Sequence, residues 1–160
     1  MHPRAAELIK QLRLSPHREG GHYAEVFRSA VAVDALDGRG VRCALTSIYF
    51  LLCRGEASRW HRVRADEIWC HLEGAAIELH VVDEAAGSAR TLMLGPVSPS
   101  TLPQHTVPAD QWQAACSSGD YSLAACMVGP GFDFADFELM SAADPLRERL
   151  ALQRPELARF

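Results

Sequence analysis

Between Gly55 and Gly74 the chain reads GEASRWHRVRADEIWCHLEG, a span with two Trp, two His and four acidic residues. If EIWCHL is a strand, its side chains alternate between faces. Glu67, Trp69 and His71 then share one face, and Ile68, Cys70 and Leu72 share the other. The second set reads as core and the first as the wall of a polar pocket. A buried Glu67 needs a donor, a cation or water, because burial without partners is costly or drives its pKa up. Histidine titrates near neutral pH, so His61 is a candidate general base, with Glu67 orienting or charging it. Tyr23 or Tyr49 can supply a phenol as the acid. This is the residue set for proton transfer on a bound small molecule.

Trp60, Trp69 and Trp112 all lie close to this chemistry. Aromatic walls suit ring-shaped ligands. Trp69 shares the face of Glu67 and is read as pocket, while Trp60 and Trp112 are read as packing. PGFDFADFEL carries Asp133, Asp136 and Glu138 between Phe residues. The Phe are expected to turn inward and the acids to cap the backbone or pair with Arg. In HREGGHYAEVFRS, Gly20 and Gly21 serve a turn. His17, Glu19, His22 and Arg28 there are polar enough for an anionic ligand, and the same segment is equally suited to assembly.

These residues need a scaffold, and the chain is long enough for one. Its 160 residues are 48% hydrophobic, which suits one domain over 1–160 with a real core. A formal charge of −4 without a basic stripe is not that of a nucleic-acid binder. No segment approaches about 20 apolar residues, so no membrane span is expected. MHPRAAELIKQLRL lacks a continuous apolar stretch and is not read as a signal peptide. The five Cys are odd in number, without C-x-x-C spacing, and sit in apolar contexts. That pattern suits a reducing cytoplasm, and it argues against a disulfide framework or a thiol-bound zinc.

Residues 1–14 are read as a surface helix presenting Ala5, Leu8, Ile9 and Leu12. HYAEVFRS alternates as a strand, and VDALDGRG reads as a hairpin loop. VRCALTSIYFLL is read as one strand buried on both faces. EIWCHL, AIELHVVD, ARTLML, HTVP, WQAAC and YSLAACMV follow, each bounded by turn residues. Residues 15–140 therefore read as a sandwich or barrel, and 141–160 as a helical tail with Asp144 capping and Pro145 in the first turn.

The spacing from Gly55 through His61 and Glu67 to Gly74 resembles the first motif of the cupin superfamily, G-x5-H-x-H-x3-E-x6-G, with Val63 where the second His stands. Pro108, Asp110, Gln113 and Ser117 fall on the second motif, P-x-G-x2-H-x3-N, with Gln113 at the His position. HREGGHYAEVFRS, TSIYFLL, GEASRWHRVRADEIW, VPADQWQAA and PGFDFADFEL resemble a small single-domain branch catalogued as of unknown function, over roughly residues 17–139. The resemblance implies an all-β fold with short terminal helices, the double-stranded β-helix or cupin jelly roll. Metal cupins use three His and a carboxylate, and only His61 and Glu67 match by type, so no metal and no cofactor are expected. His71 or His105 would be needed to complete a metal site.

The expected pocket is lined by His61, Glu67, Trp69, His71 and Gln113, with Tyr49 and Tyr23. Arg59, Arg62 or Arg64 are expected at its entrance if the ligand carries phosphate. Some members of the branch have been compared with dTDP-sugar epimerases, which use a His base and Tyr acid. That implies a metal-independent epimerase or isomerase acting on a sugar or sugar nucleotide, in a cytoplasmic homodimer. The alternatives are a non-catalytic ligand-binding cupin and a metal-dependent cupin enzyme using His61 and Glu67. The expected partner is a small molecule, with neither nucleic acid nor membrane.

Overall fold

The computed structural model describes residues 1–83 and 87–160. It opens with α1 (Pro3–Gln11), which Pro3 enters in its first turn while His2 accepts the Arg4 amide through Nδ1 at 3.2 Å. The strands β1 (Ser15–Pro16), β2 (His22–Arg28), β3 (Ala32–Asp34), β4 (Val41–Cys43), β5 (Thr46–Cys53) and β6 (Ala57–Val63) follow. Next come β7 (Asp66–Gly74), β8 (Ile77–Asp83), β9 (Ser88–Leu94), β10 (Gln104–Val107), β11 (Gln113–Ser117), β12 (Tyr121–Gly129) and β13 (Phe137–Leu139). Helix α2 (Pro145–Gln153) and the 3₁₀ segment Pro155–Arg159 end the chain. Among the described residues no helix is long and apolar enough to cross a membrane.

Two antiparallel sheets face each other, in the orders β1-β2-β5-β12-β7-β10 and β13-β6-β11-β8-β9. Phe50, Leu52, Trp69, Ala124 and Cys126 of the first sheet meet Ile77, Leu79, Val81 and Ala115 of the second. Alternation then sends the odd residues of β5 outward, where Tyr49, Leu51 and Cys53 pack against Ala5 and Leu8 of α1. Arg4 pins this helix by two bonds to Glu73, at 2.7 and 3.0 Å. On the far side, α2 and the terminal 3₁₀ segment cover the second sheet through Trp60, Trp112, Leu146, Leu150, Leu157 and Phe160. The result is an all-β double-stranded β-helix with a short helix at each end.

Two elements differ from the sequence expectation. VRCALTSIYFLL is broken at Ala44 and Leu45, because the Ala44 amide turns to the Val31 carbonyl and the Leu45 carbonyl accepts from Ser29. Its first part pairs with β3 in a separate hairpin. In β7 the core face is that of Glu67 and Trp69, not that of Ile68, Cys70 and Leu72. Leu72 is 48% exposed. Trp69 faces inward because the barrel interior is at once core and pocket wall. A register shift against β12 at Leu123/Ala124 leaves Leu72 without a direct partner.

The start of α2 offers a local test. The Asp144 carboxylate accepts the Leu146 amide at 2.8 Å, and Pro145 needs no such acceptor. Asp144→Ala is expected to cost about 1 kcal/mol, read as a lower urea midpoint at unchanged slope. An unchanged midpoint would mean that packing of Leu146 and Leu150 holds the helix without its cap.

Candidate functional site

A cavity of about 360 Å³ lies between the sheets. Thr46, Ile48 and Phe50 of β5 line it, as do His61 and Val63 of β6, Glu67 and Trp69 of β7, and Cys126 and Val128 of β12. Tyr23, Glu25 and Arg28 of β2 form one side, and Phe132, Phe134 and Phe137 close another. These rings are set by their neighbouring acids. Asp133 accepts the Ala135 amide at 2.8 Å and caps the 3₁₀ turn Phe134–Asp136. Asp136 is held by Arg42 at 2.8 and 2.9 Å. With its backbone held, the segment stacks Phe132 and Phe134 edge to face at 5.0 Å, and Phe137 lies 5.6 Å from the His61 ring.

Glu19 enters through the turn before β2. Gly20 and Gly21 have φ of 119° and 68°, and a Cβ on Gly20 would stand 2.0 Å from the Ala57 carbonyl oxygen. Only a glycine lets the turn approach β6 this closely. The turn is then stitched to β6 by the Arg59 amide donating to the Glu19 carbonyl at 2.9 Å. The Glu19 side chain is buried, accepting from the Ser58 hydroxyl at 2.8 Å. His61 Nε2 and His17 Nδ1 each lie 3.4 Å from Glu19 Oε2. His61 Nδ1 faces the Arg59 carbonyl at 2.8 Å, and a carbonyl only accepts, so Nδ1 carries hydrogen. The contact of Nε2 with Glu19 is therefore attractive only when a proton lies between them.

A second chain of bonds holds Glu67. The Trp69 indole donates to Gln113 Oε1 at 3.0 Å, and the Gln113 amide nitrogen donates to Glu67 Oε2 at 2.6 Å. An indole only donates, so the Gln113 amide has one orientation. The two buried carboxyls diverge. Burial pushes Glu67 up to about 7, and the nearby Glu19 charge adds to this, against the opposing effects of His61 and the Gln113 bond. Glu19 is also pushed up by burial, but His61, His17 and the Ser58 hydroxyl outweigh that and hold it below the ordinary range.

The structure brings His61, Glu67, Trp69 and Tyr23 to the cavity, with Gln113 bonded directly behind Glu67. It does not bring Tyr49 there. Phe50 points inward, so alternation turns Tyr49 out beneath α1. His71 shares the inward side of β7 but does not line the cavity, and its Nε2 lies 3.1 Å from the Ala75 carbonyl. His105 does not line the cavity either. The arginines expected at the entrance are elsewhere. Arg59 binds the carbonyls of Glu19 and Arg18, Arg62 lies over Trp112 and pairs with Glu138, and Arg64 lies near Asp37. Trp60 and Trp112 are buried under α2.

Sequence reasoning missed the Phe132, Phe134 and Phe137 wall, which it read only as core. It noticed Glu19 but could not seat it beside His61. The Glu-Gly-Gly order was the available signal, since paired glycines permit the close approach that inserts the preceding side chain. The metal set common in this fold is not assembled in the cavity. Val63 lines it without a donor atom, and Gln113 has committed its oxygen to Trp69 and turns an amide hydrogen toward Glu67.

Residues 6–140 match the family described as Cupin superfamily (DUF985). A solved structure of a hypothetical protein from Leishmania major is 35% identical, with a TM-score of 0.81 over 97% of this chain and 95% of that one. A protein from Shewanella oneidensis is 37% identical, with a TM-score of 0.79 over 96% of this chain and 92% of that one. A cupin-2 domain protein from Rhodospirillum rubrum is 18% identical, with a TM-score of 0.54 over 81% of this chain and 71% of that one, a likeness of fold alone. No curated protein matches the chain.

Proposed function

This chain belongs to the cupin superfamily, in the branch described as DUF985, and from that premise we propose that its cavity binds a small sugar and moves a proton on it, as a metal-independent epimerase or isomerase. The observation that carries this reading is the Glu67 carboxyl, buried against the cavity with its pKa raised to about 7. Such a group is partly protonated in neutral solution, so it can take a proton from carbon or return one. In the proposed step a C–H bond beside a carbonyl breaks. Its proton passes to Glu67, and the electron pair moves onto the carbonyl oxygen, which accepts a hydrogen bond from Tyr23. Return of a proton to the opposite face, or to the neighbouring carbon, completes epimerisation or isomerisation.

Charge supports the sugar more than a sugar nucleotide. Glu19, Glu25, Glu67 and Asp133 line the cavity, whereas Arg28 already pairs with Glu25 at 2.7 Å. A diphosphate would find little compensation there. The volume suits a monosaccharide-sized ligand, at the lower end of the roughly 300–1,000 Å³ of small-molecule sites. The second reading, a carrier or sensor without turnover, is supported by His61, whose two ring nitrogens already face Arg59 and Glu19. We also propose a cytoplasmic homodimer. Five unpaired cysteines support the compartment, and the half-exposed Val26 and Phe27 of β2 support the pairing.

The test is incubation with a panel of aldoses and ketoses in heavy water, read by NMR, with binding followed in parallel by calorimetry. Deuterium appearing at carbon next to the carbonyl is the expected result. Binding without exchange across the panel would favour the carrier, and neither binding nor exchange would overturn both readings.

A further inference from the structure

A second constellation lies on the outer face of the other sheet. Glu78 and His80 are two residues apart on β8 and so share a face, and Cys116 on β11 is the direct cross-strand partner of Glu78. The inward residues Ile77 and Leu79 prove the parity by packing in the barrel core. Among the described residues, these three place a carboxylate oxygen, an imidazole nitrogen and a sulfur all within 4.8 Å of one another. The His80 Nε2 to Glu78 Oε2 distance is 3.9 Å, and Cys116 Sγ to Glu78 Oε2 is 3.8 Å. Ligands of one tetrahedral ion with bonds of about 2.0–2.3 Å stand roughly 3.3–3.8 Å apart, so a small inward movement suffices.

An independent observation points to a missing partner. His80 is 2% exposed, and its Nε2 is buried without a hydrogen bond. Its Nδ1 is held by the Thr91 hydroxyl at 2.9 Å, the kind of support that fixes a ligating imidazole. When Nδ1 donates its hydrogen to that hydroxyl, the Nε2 lone pair is left for an ion. The Arg159 guanidinium, on the terminal 3₁₀ segment, stands 2.9 Å from Cys116 Sγ.

We propose that Glu78, His80 and Cys116 bind one divalent cation of the zinc type, with Arg159 as the group it displaces. Carboxylate, imidazole and thiolate together suit such an ion rather than calcium or magnesium. Thiolate ligation releases the Cys116 proton on binding, so capture of the ion is a proton-for-metal exchange. The charged groups facing the site are Arg154, Arg159 and Glu156 from the tail and Glu78 from the sheet. Ion capture frees Arg159 and thereby loosens the end of the tail, where Phe160 packs against the His80 ring at 4.9 Å.

The experiment is titration of the full chain with Co²⁺ under reducing, chelator-free conditions, read as the near-ultraviolet thiolate-to-cobalt band. One ion per chain, displaced by Zn²⁺, is expected. Cys116→Ser should abolish the band, Arg159→Gln should tighten binding, and His61→Ala in the barrel should leave it unchanged. Thr91→Val keeps all three ligands and should weaken binding about 10–100-fold, which guards against a ligand variant that fails to fold. No band, a band surviving Cys116→Ser, or unaltered affinity in both Thr91→Val and Arg159→Gln would overturn the proposal.

Discussion

Glu67→Gln is expected to remove proton exchange at carbon and, at alkaline pH, to stabilise the protein. Both effects come from one carboxyl. As the proposed proton carrier, its loss should slow exchange about 10²–10⁴-fold while ligand still binds, since the amide keeps the shape of the wall. The stability effect follows from linkage. The folded pKa lies near 7 against an ordinary 4.5, so the folded state favours the protonated form. Its contribution is complete below about 4.5 and is lost as pH rises through about 7. A gap of this size corresponds to about 3 kcal/mol. Glu19 acts in the other direction, since its lowered pKa gives stability that disappears only on acidification below the ordinary range. Urea midpoints at pH 5 and pH 8 separate the two. The Glu67→Gln protein should lose most of the destabilisation that the parent suffers between those values. Parallel pH profiles would show that Glu67 does not titrate there, and undiminished exchange would remove it from the proton path.

Gly20→Ala is expected to cost about 3 kcal/mol or more and to weaken ligand binding along with stability. The backbone at Gly20 has φ 119°, outside the regions open to alanine, and the added Cβ would meet the Ala57 carbonyl at 2.0 Å. That neighbour is backbone of β6, in the ladder with β11, so it cannot swing away as a side chain can. The turn must lift, and with it go the Arg59–Glu19 backbone bond and the seat of the Glu19 carboxylate beside Ser58 and His61. Gly38→Ala is the control, since that glycine has a similar positive φ but nothing within 4 Å of an added Cβ. It should cost only the conformational strain of about 1 kcal/mol. Equal losses in the two variants would mean that strain alone, and not the close approach to β6, accounts for Gly20.

The alternation of β-branched and aromatic residues, the turn residues between short runs, and the capped tail made a β sandwich or barrel with terminal helices legible from the sequence, and the motif resemblance narrowed it to the double-stranded β-helix. The nearness of His61 and Glu67 was legible too, because both lie in one hairpin and a strand's period of two is a local property. Asp133, Asp136 and Glu138 also behaved as their types suggest, capping a turn or pairing with arginine.

Local periodicity sorts a strand into two faces, but it does not say which face is inside. For β7 the apolar set Ile68, Cys70 and Leu72 suggested core, yet the inner face carries Glu67 and Trp69, since the opposing sheet and the Gln113 amide supply both packing and hydrogen bonds there. The same parity put Tyr49 beneath α1 rather than in the cavity. Cysteine spacing along the chain hid the grouping of Cys116 with Glu78 and His80, which exists only because β8 and β11 are neighbours across the sheet. Residue types and intervals along the chain therefore determined the strands, turns, caps and the hairpin that carries His61 and Glu67. Which side chains share a cavity, and where Glu19 and Glu67 part in acidity, were decided by tertiary structure, because burial and charge act between residues distant in sequence.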